Sequence, residues 1–175
     1  LLHQYLSHRP SGLLLTRSDQ TDGARVLTDD SGIPHVYLMD LSDDGAYCVG
    51  LSQRDAGRCV ADHLLATGRR RIAFVAAQLD ARTRQREAGY RGALTAAGVE
   101  VLGTKIYDPK ATSFDAEVDE IVAADPDAIV LITFDEGSRI LKTMVEKGIG
   151  PQAKAVYGCD GNIGNALGDN FNAGK

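Results

Sequence analysis

Short apolar runs alternate with amphipathic stretches along the whole chain. The runs at 12–16, 33–39, 46–51, 72–77, 101–107, 128–134 and 155–157 read as strands. The sequences IAFVAA and AIVLITF are apolar at every position, the pattern of parallel strands covered on both faces. Between the runs lie stretches with apolar residues three and four apart, the period of a helix with one buried face. The stretch 22–30 is one, closed by Ser31-Gly32. A second opens at Ser52-x-x-Asp55, a capping-box spacing, with Ala56, Cys59, Val60, Leu64 and Thr67 as its expected inner stripe. A third follows Asp80, carries Tyr90, Ala93, Leu94 and Ala97 on one face and stops at Gly98. A fourth is capped by Thr112 or Ser113 and faces inward through Phe114, Val118, Ile121 and Val122. Asp135 caps the fifth, which carries Ile140, Leu141, Met144 and Val145. The tail NIGNALGDNFNAGK reads as loop. Strands alternating with helices of this length require βαβ units and parallel sheets, so the expected class is α/β.

Size and composition narrow the function classes. The chain has 175 residues and 43% hydrophobic content, and no apolar run approaches the ~20 residues of a membrane span. LLHQYLSHRP lacks the apolar core of a signal peptide. A net charge of −5 argues against nucleic-acid binding by this segment. Cys48, Cys59 and Cys159 form no C-x-x-C pair and read as buried free thiols. His63 reads as a packed core histidine, and Arg69-Arg70-Arg71 as a solvated turn.

Nucleotide-binding glycine motifs, a nucleophile elbow and clustered metal ligands are all missing from the sequence. No cofactor, metal or catalytic activity is therefore expected. The remaining chemistry sits where strands end: Asp40 after the strand ending at Met39, Asp80 and Arg86 after the one ending at Ala77, Phe134 and Asp135 after the one ending at Thr133, and Asp160 after the last. A parallel sheet brings such positions to one rim, where open α/β sheets bind ligands. Arg86 stands out because it lies four residues before Tyr90, on the sheet-facing side of its helix. Carboxylates, a guanidinium and an aromatic ring together suit a small polyol or zwitterion.

The motifs PSGLLL, SGIPHVYLMDL, DAGRCVADHLLATGRRRIAFVAAQLD and R-x-x-G-Y from Arg86 to Tyr90 resemble the effector-binding region of lactose-repressor-family transcription regulators over about 11–100. Within that family the wording is nearest the gluconate-utilisation repressors. Residues of about 104–167 resemble branched-chain amino-acid ABC-transporter substrate-binding proteins instead. Both resemblances imply the type I periplasmic-binding-protein fold, with flavodoxin-like lobes enclosing ligand. One lobe, 53–175, would be nearly complete and the other, 1–52, fragmentary. Positions matching Asp40, Arg86, Phe134 and Asp160 line the sugar site in such repressors, although Phe134 stands where a polar Asn is common.

Residues 1–100 hold twelve Arg and no Lys, whereas 101–175 hold six Lys and one Arg. With the change of resemblance, this points to a chimera with a seam near 98–104. The implied partner is a small-molecule effector: a gluconate-like sugar acid, a sugar or a branched-chain amino acid. The repressors' helix-turn-helix has no counterpart in these residues, so no operator contact by this segment is expected. The expected location is cytoplasmic, or periplasmic on the transporter reading. An open edge of the incomplete sheet leads to the expectation of a homodimer.

Overall fold

The computed structural model describes residues 1–16, 20–39, 41, 45–77, 80–162, 164–169 and 171. A helix α1 (Leu2–Ser7) leads into strand β1 (Leu13–Thr16), helix α2 (Asp22–Asp30), and strands β2 (His35–Leu38) and β3 (Cys48–Val49). These three strands form one parallel sheet in the order β1-β2-β3, with Leu14 opposite Val36 and Leu38 opposite Val49. Leu14, Tyr47 and Val49 are exposed on it.

The second sheet holds β4 (Ile72–Ala76), β5 (Thr104–Ile106), β6 (Ala128–Ile132) and β7 (Ala155–Gly158), all parallel, in the order β5-β4-β6-β7. The chain leaves β4 in one direction for β5, then returns across it to β6, so the strand order reverses between β4 and β6. Right-handed crossovers then demand that the helix after β4 lie on one face and the next two on the other. Burial follows that rule. Helices α3 (Gln53–Ala66) and α4 (Ala81–Ala96) cover Ile72, Phe74, Ala76, Ala128 and Val130. Helices α5 (Asp115–Ala124) and α6 (Gly137–Glu146) cover Ala73, Val75, Ala77, Ile129 and Leu131. Alternate side chains of one strand thus enter opposite cores, which is why IAFVAA carries no polar position.

Local signals explain most helix starts. Thr21, Ser52 and Asp80 each accept a backbone N–H from three residues on, the geometry of a side-chain N-cap. Gly32, Gly68, Gly98 and Gly148 hold positive φ just after helices α2, α3, α4 and α6. The inner stripe of α3 is only partly the expected one: Leu64 is buried and Val60 packs against the core, but Gln53, Gly57 and Ala61 are buried beside them, while Ala56, Cys59 and Thr67 are exposed. The cause is glycine. A Cβ on Gly57 would stand 1.9 Å from the Arg86 carbonyl oxygen, and one on Gly89 would stand 1.9 Å from that of Arg54. The two helices therefore meet backbone to backbone, and α3 turns its glycine towards α4.

Several further expectations are corrected. Cys59 is exposed and Cys48 and Cys159 are partly exposed, so none of the three thiols is fully buried. His63 is exposed on α3, with its Nε2 3.2 Å from the Tyr157 hydroxyl and its ring edge-on to that of Tyr157. Asp135 does not cap α6 through its side chain. Glu136 holds the cap position, and the Asp135 carbonyl accepts the Ser138 N–H and hydroxyl. Phe114 rather than Thr112 or Ser113 occupies the α5 cap position, although the Ser113 hydroxyl does accept the Asp115 N–H. The tail is not all loop, because it forms α7 (Asn165–Asp169).

Nor is the arginine run simply solvated. Arg71 donates from its guanidinium to the carbonyls of Asp125 and Ala124, closing the C-terminus of α5. Asp127 in turn accepts the backbone N–H groups of Arg70 and Arg71, both at 3.0 Å, and these bonds hold its carboxyl below the usual carboxylate range. A carboxyl depressed in the folded state stabilises above its unfolded pKa of about 3.9, and that contribution is lost as pH falls through the folded value. Asp127→Ala is accordingly expected to lower the melting temperature at pH 7 and to flatten its decline towards pH 2. Thermal unfolding of both proteins across that range is the check.

A candidate ligand-binding pocket

On the α3/α4 face of the larger sheet lies a cavity of about 290 Å³. Its floor is Phe74, Val130 and Ile132, and Ala56, Gly57 and Val60 of α3 and Tyr90 of α4 close its sides. Polar groups come from Gln53 at the start of α3, Arg86 one turn into α4, and Tyr157, Cys159 and Asp160 at the carboxyl end of β7. An apolar chamber with a few converging polar groups is the usual form of a small-molecule site.

Each polar side chain is positioned by a local cause. Arg86 sits over the Gly57 contact, so its backbone is fixed against α3. Its Nε donates 2.7 Å to the Gln53 Oε1. Asp160 begins a 3-10 turn, Asp160–Asn162, that is locked onto the end of β6. Asn162 Oδ1 accepts the Cys159 N–H at 2.7 Å, its Nδ2 donates to the Thr133 hydroxyl, and the Cys159 thiol lies 3.4 Å from the Thr133 carbonyl oxygen. Gly161 is required there, because a Cβ would stand 2.6 Å from that same Thr133 oxygen. Tyr157 carries its hydroxyl out to His63.

The candidates named from the sequence divide. Arg86 and Asp160 line this cavity together. Phe134 and Asp135 lie beside it: the Phe134 ring packs over Gly161, next to Asp160, and remains 66% exposed, and the Asp135 carboxylate faces Gly164. Asp80 is exposed and spends its Oδ1 on the Thr83 N–H at 2.6 Å, as the cap of α4. Asp40 falls outside the described residues, as do Gln78 and Leu79 of the turn before Asp80. Behind the rim, Glu136 accepts both the Tyr107 hydroxyl at 2.7 Å and the Phe134 N–H at 3.1 Å, which ties the start of α6 to the end of β5. Burial, and then the Glu136 carboxylate, push the Tyr107 hydroxyl far above the usual tyrosine range.

Gln53, Tyr90 and Tyr157 are pocket residues that pattern reading did not single out. Gln53 falls in the first turn of its helix with no local pattern to mark it, Tyr90 belongs to the expected inner face of α4, and Tyr157 lies in the last apolar run. The available signal was Gly57 and Gly89, two glycines inside helices where each costs about 1 kcal/mol against alanine. Such positions ask for a close backbone approach, and that approach is what brings Gln53 to Arg86.

Arg86 offers a cation with donors, Asp160 an anionic acceptor, and the aromatic rings an apolar bed. That set can hold a small molecule bearing an anionic group and hydroxyls. Among the described residues no group of three potential metal ligands comes together, and no helix is long and apolar enough to cross a membrane.

Comparison with known proteins decides the family. Residues 15–172 match the model described as periplasmic binding protein. The chain belongs to the periplasmic binding protein family. Within that setting it is 50% identical over 114 residues to the HTH-type transcriptional regulator GntR of Pseudomonas aeruginosa, an alignment covering 65% of this chain and 33% of the relative. It is 30% identical over 160 residues to the HTH-type transcriptional regulator CelR of Thermobifida fusca, covering 85% and 46% respectively. Among solved structures, the transcription regulator GntR from Chromobacterium violaceum superposes with a TM-score of 0.71 at 39% identity, over 90% of this chain and 60% of that one. The chain thus spans about a third to a half of these curated relatives' length. The periplasmic-binding-protein match is common to both resemblances, and the curated relatives, being transcriptional regulators, favour the repressor resemblance over the transporter one.

Proposed function

We propose that the chain is the effector-binding part of a transcription regulator of the lactose-repressor type, and that its effector is a small hydroxylated acid or sugar. The observation that carries this reading is that Arg86 and Asp160 both line one largely apolar cavity. The named relatives support it, being transcriptional regulators. On this reading the chain performs no catalysis, works in the cytoplasm, and leaves operator contact to another part of the regulator. The lobes divide near residue 52, and Leu51, at that joint, forms part of the cavity rim. The open apolar face at Leu14, Tyr47 and Val49 supports a homodimer as part of the same reading.

Arg86 would bind the anionic or most electron-rich group, and Asp160 would accept from hydroxyls. Arg86→Ala and Asp160→Ala are each expected to weaken effector binding tenfold or more, roughly the worth of one charge-assisted hydrogen bond, with the fold retained. Calorimetry against gluconate, glucose and leucine, with far-ultraviolet circular dichroism of each variant, tests the reading. Heat from gluconate or glucose that both substitutions diminish supports it; no heat from any of the three, or heat indifferent to both, overturns it.

A further inference from the structure

Gln53 is buried to 7% exposure at the first position of α3, an unusual place for a neutral amide with no partner on its own helix. Its Oε1 instead accepts the Nε–H of Arg86, 33 residues away, at 2.7 Å. We propose that Gln53 is a positioning and specificity-determining residue, which turns the Arg86 guanidinium end-on towards the pocket and leaves its charge intact. The proposal rests on the effector-binding reading for its ligand, but its geometry stands on these contacts.

A guanidinium offers five N–H donors in a rigid plane. Two edges can grip a carboxylate bidentately: the side edge, through Nε and one Nη, and the end edge, through both Nη groups. With Nε engaged by Gln53, the side edge is closed and the end edge remains. The base of the side chain is fixed as well, because Gly57 of α3 packs against the backbone carbonyl of Arg86 itself. Helix α3 therefore holds Arg86 at both ends, at the backbone through Gly57 and at the tip through Gln53.

The chemistry of the partner decides what such a device selects. A carboxylate at position 53 would form the same bond and neutralise the cation. Glutamine forms the bond and contributes no charge, so the positive charge stays available to the ligand. The ligand class that benefits is a planar anion, such as the carboxylate of a hydroxy acid, over a neutral polyol of the same size.

The experiment uses the unaltered chain with Gln53→Ala and Gln53→Glu, and two probes, gluconate and its neutral counterpart glucitol. In the unaltered chain the Arg86 Nε–H should give a resolved nitrogen-15 resonance exchanging slowly with water, and Gln53→Ala should abolish that protection. Gluconate should bind Gln53→Ala roughly tenfold more weakly, the loss of one bond to a charged group. Gln53→Glu should restore the protected Nε–H while weakening gluconate further, and by a larger factor than it changes any glucitol binding. A protected Nε–H in Gln53→Ala, or gluconate binding equally to all three proteins, overturns the proposal. If the unaltered chain takes up neither probe, it is the sugar-acid reading above that fails, and the Nε–H exchange alone then decides the role of Gln53.

Discussion

Gly89→Ala is expected to destabilise the protein by about 1–3 kcal/mol, although alanine is the better helix former by about 1 kcal/mol. The added methyl would stand 1.9 Å from the Arg54 carbonyl oxygen, 2.8 Å from its carbon and 3.1 Å from the Arg58 nitrogen. None of those atoms belongs to a side chain that can rotate away, so α3 and α4 must separate. Separation costs packing along the whole contact and draws Arg86 from Gln53, whose 2.7 Å bond allows little slack. Gly92 on the same helix supplies an internal control. It is exposed, a Cβ there meets nothing within 4 Å, and Gly92→Ala should therefore stabilise by roughly 0.5–1 kcal/mol. Urea unfolding of both variants measures the contrast in sign. Equal stabilisation by the two substitutions would show that the helices do not meet as closely as described.

The same pair of glycines marks where pattern reading stopped. Strand and helix order were legible because each apolar run and each amphipathic stretch is a local signal. Caps at Ser52 and Asp80 were legible for the same reason, since the hydroxyl or carboxylate and its N–H partner lie three residues apart. The inner stripe of α3 was not. Hydrophobicity favours Cys59 for the inside together with Val60, which does pack against the core, whereas the observed face is centred on Gly57, the position that permits backbone contact with α4. Cys59 is outside as a direct result.

The candidate site was legible in the same uneven way. Arg86 and Asp160 could be placed because the ends of parallel strands share a rim, a rule of topology that needs no coordinates. Asp80 and Asp135 satisfied that rule equally well, yet Asp80 caps α4 and Asp135 turns towards Gly164. A carboxylate at a strand's end has two uses, capping the next helix or meeting a ligand, and sequence position alone does not separate them. What separates Asp160 is the lock made by Asn162 on Thr133 and Cys159, a set of contacts between β6 and β7 that no local pattern announces.

Tyr90→Ala is expected to be the costliest core truncation on the pocket side, at about 3–5 kcal/mol for loss of a buried aromatic ring. Tyr90 is 1% exposed, its ring lies 5.2 Å from that of Phe74, and its hydroxyl donates 2.9 Å to the Ile72 carbonyl oxygen. It therefore ties α4 to the first residue of β4 while forming part of the pocket wall. Tyr90→Phe keeps the ring and should cost about 1 kcal/mol, the worth of one neutral hydrogen bond. Alkali separates the two contributions. Burial raises the Tyr90 hydroxyl well above the usual tyrosine value of about 10, so the neutral form is the one the fold holds. A group raised in the folded state stabilises fully below its unfolded pKa, and that contribution is lost as pH rises above about 10 towards the folded value. Stability of the unaltered protein should thus fall between pH 9 and pH 11 more steeply than that of Tyr90→Phe. Denaturant midpoints measured across this interval test it, and parallel curves for the two proteins would mean that the hydroxyl is not buried against Ile72 in solution.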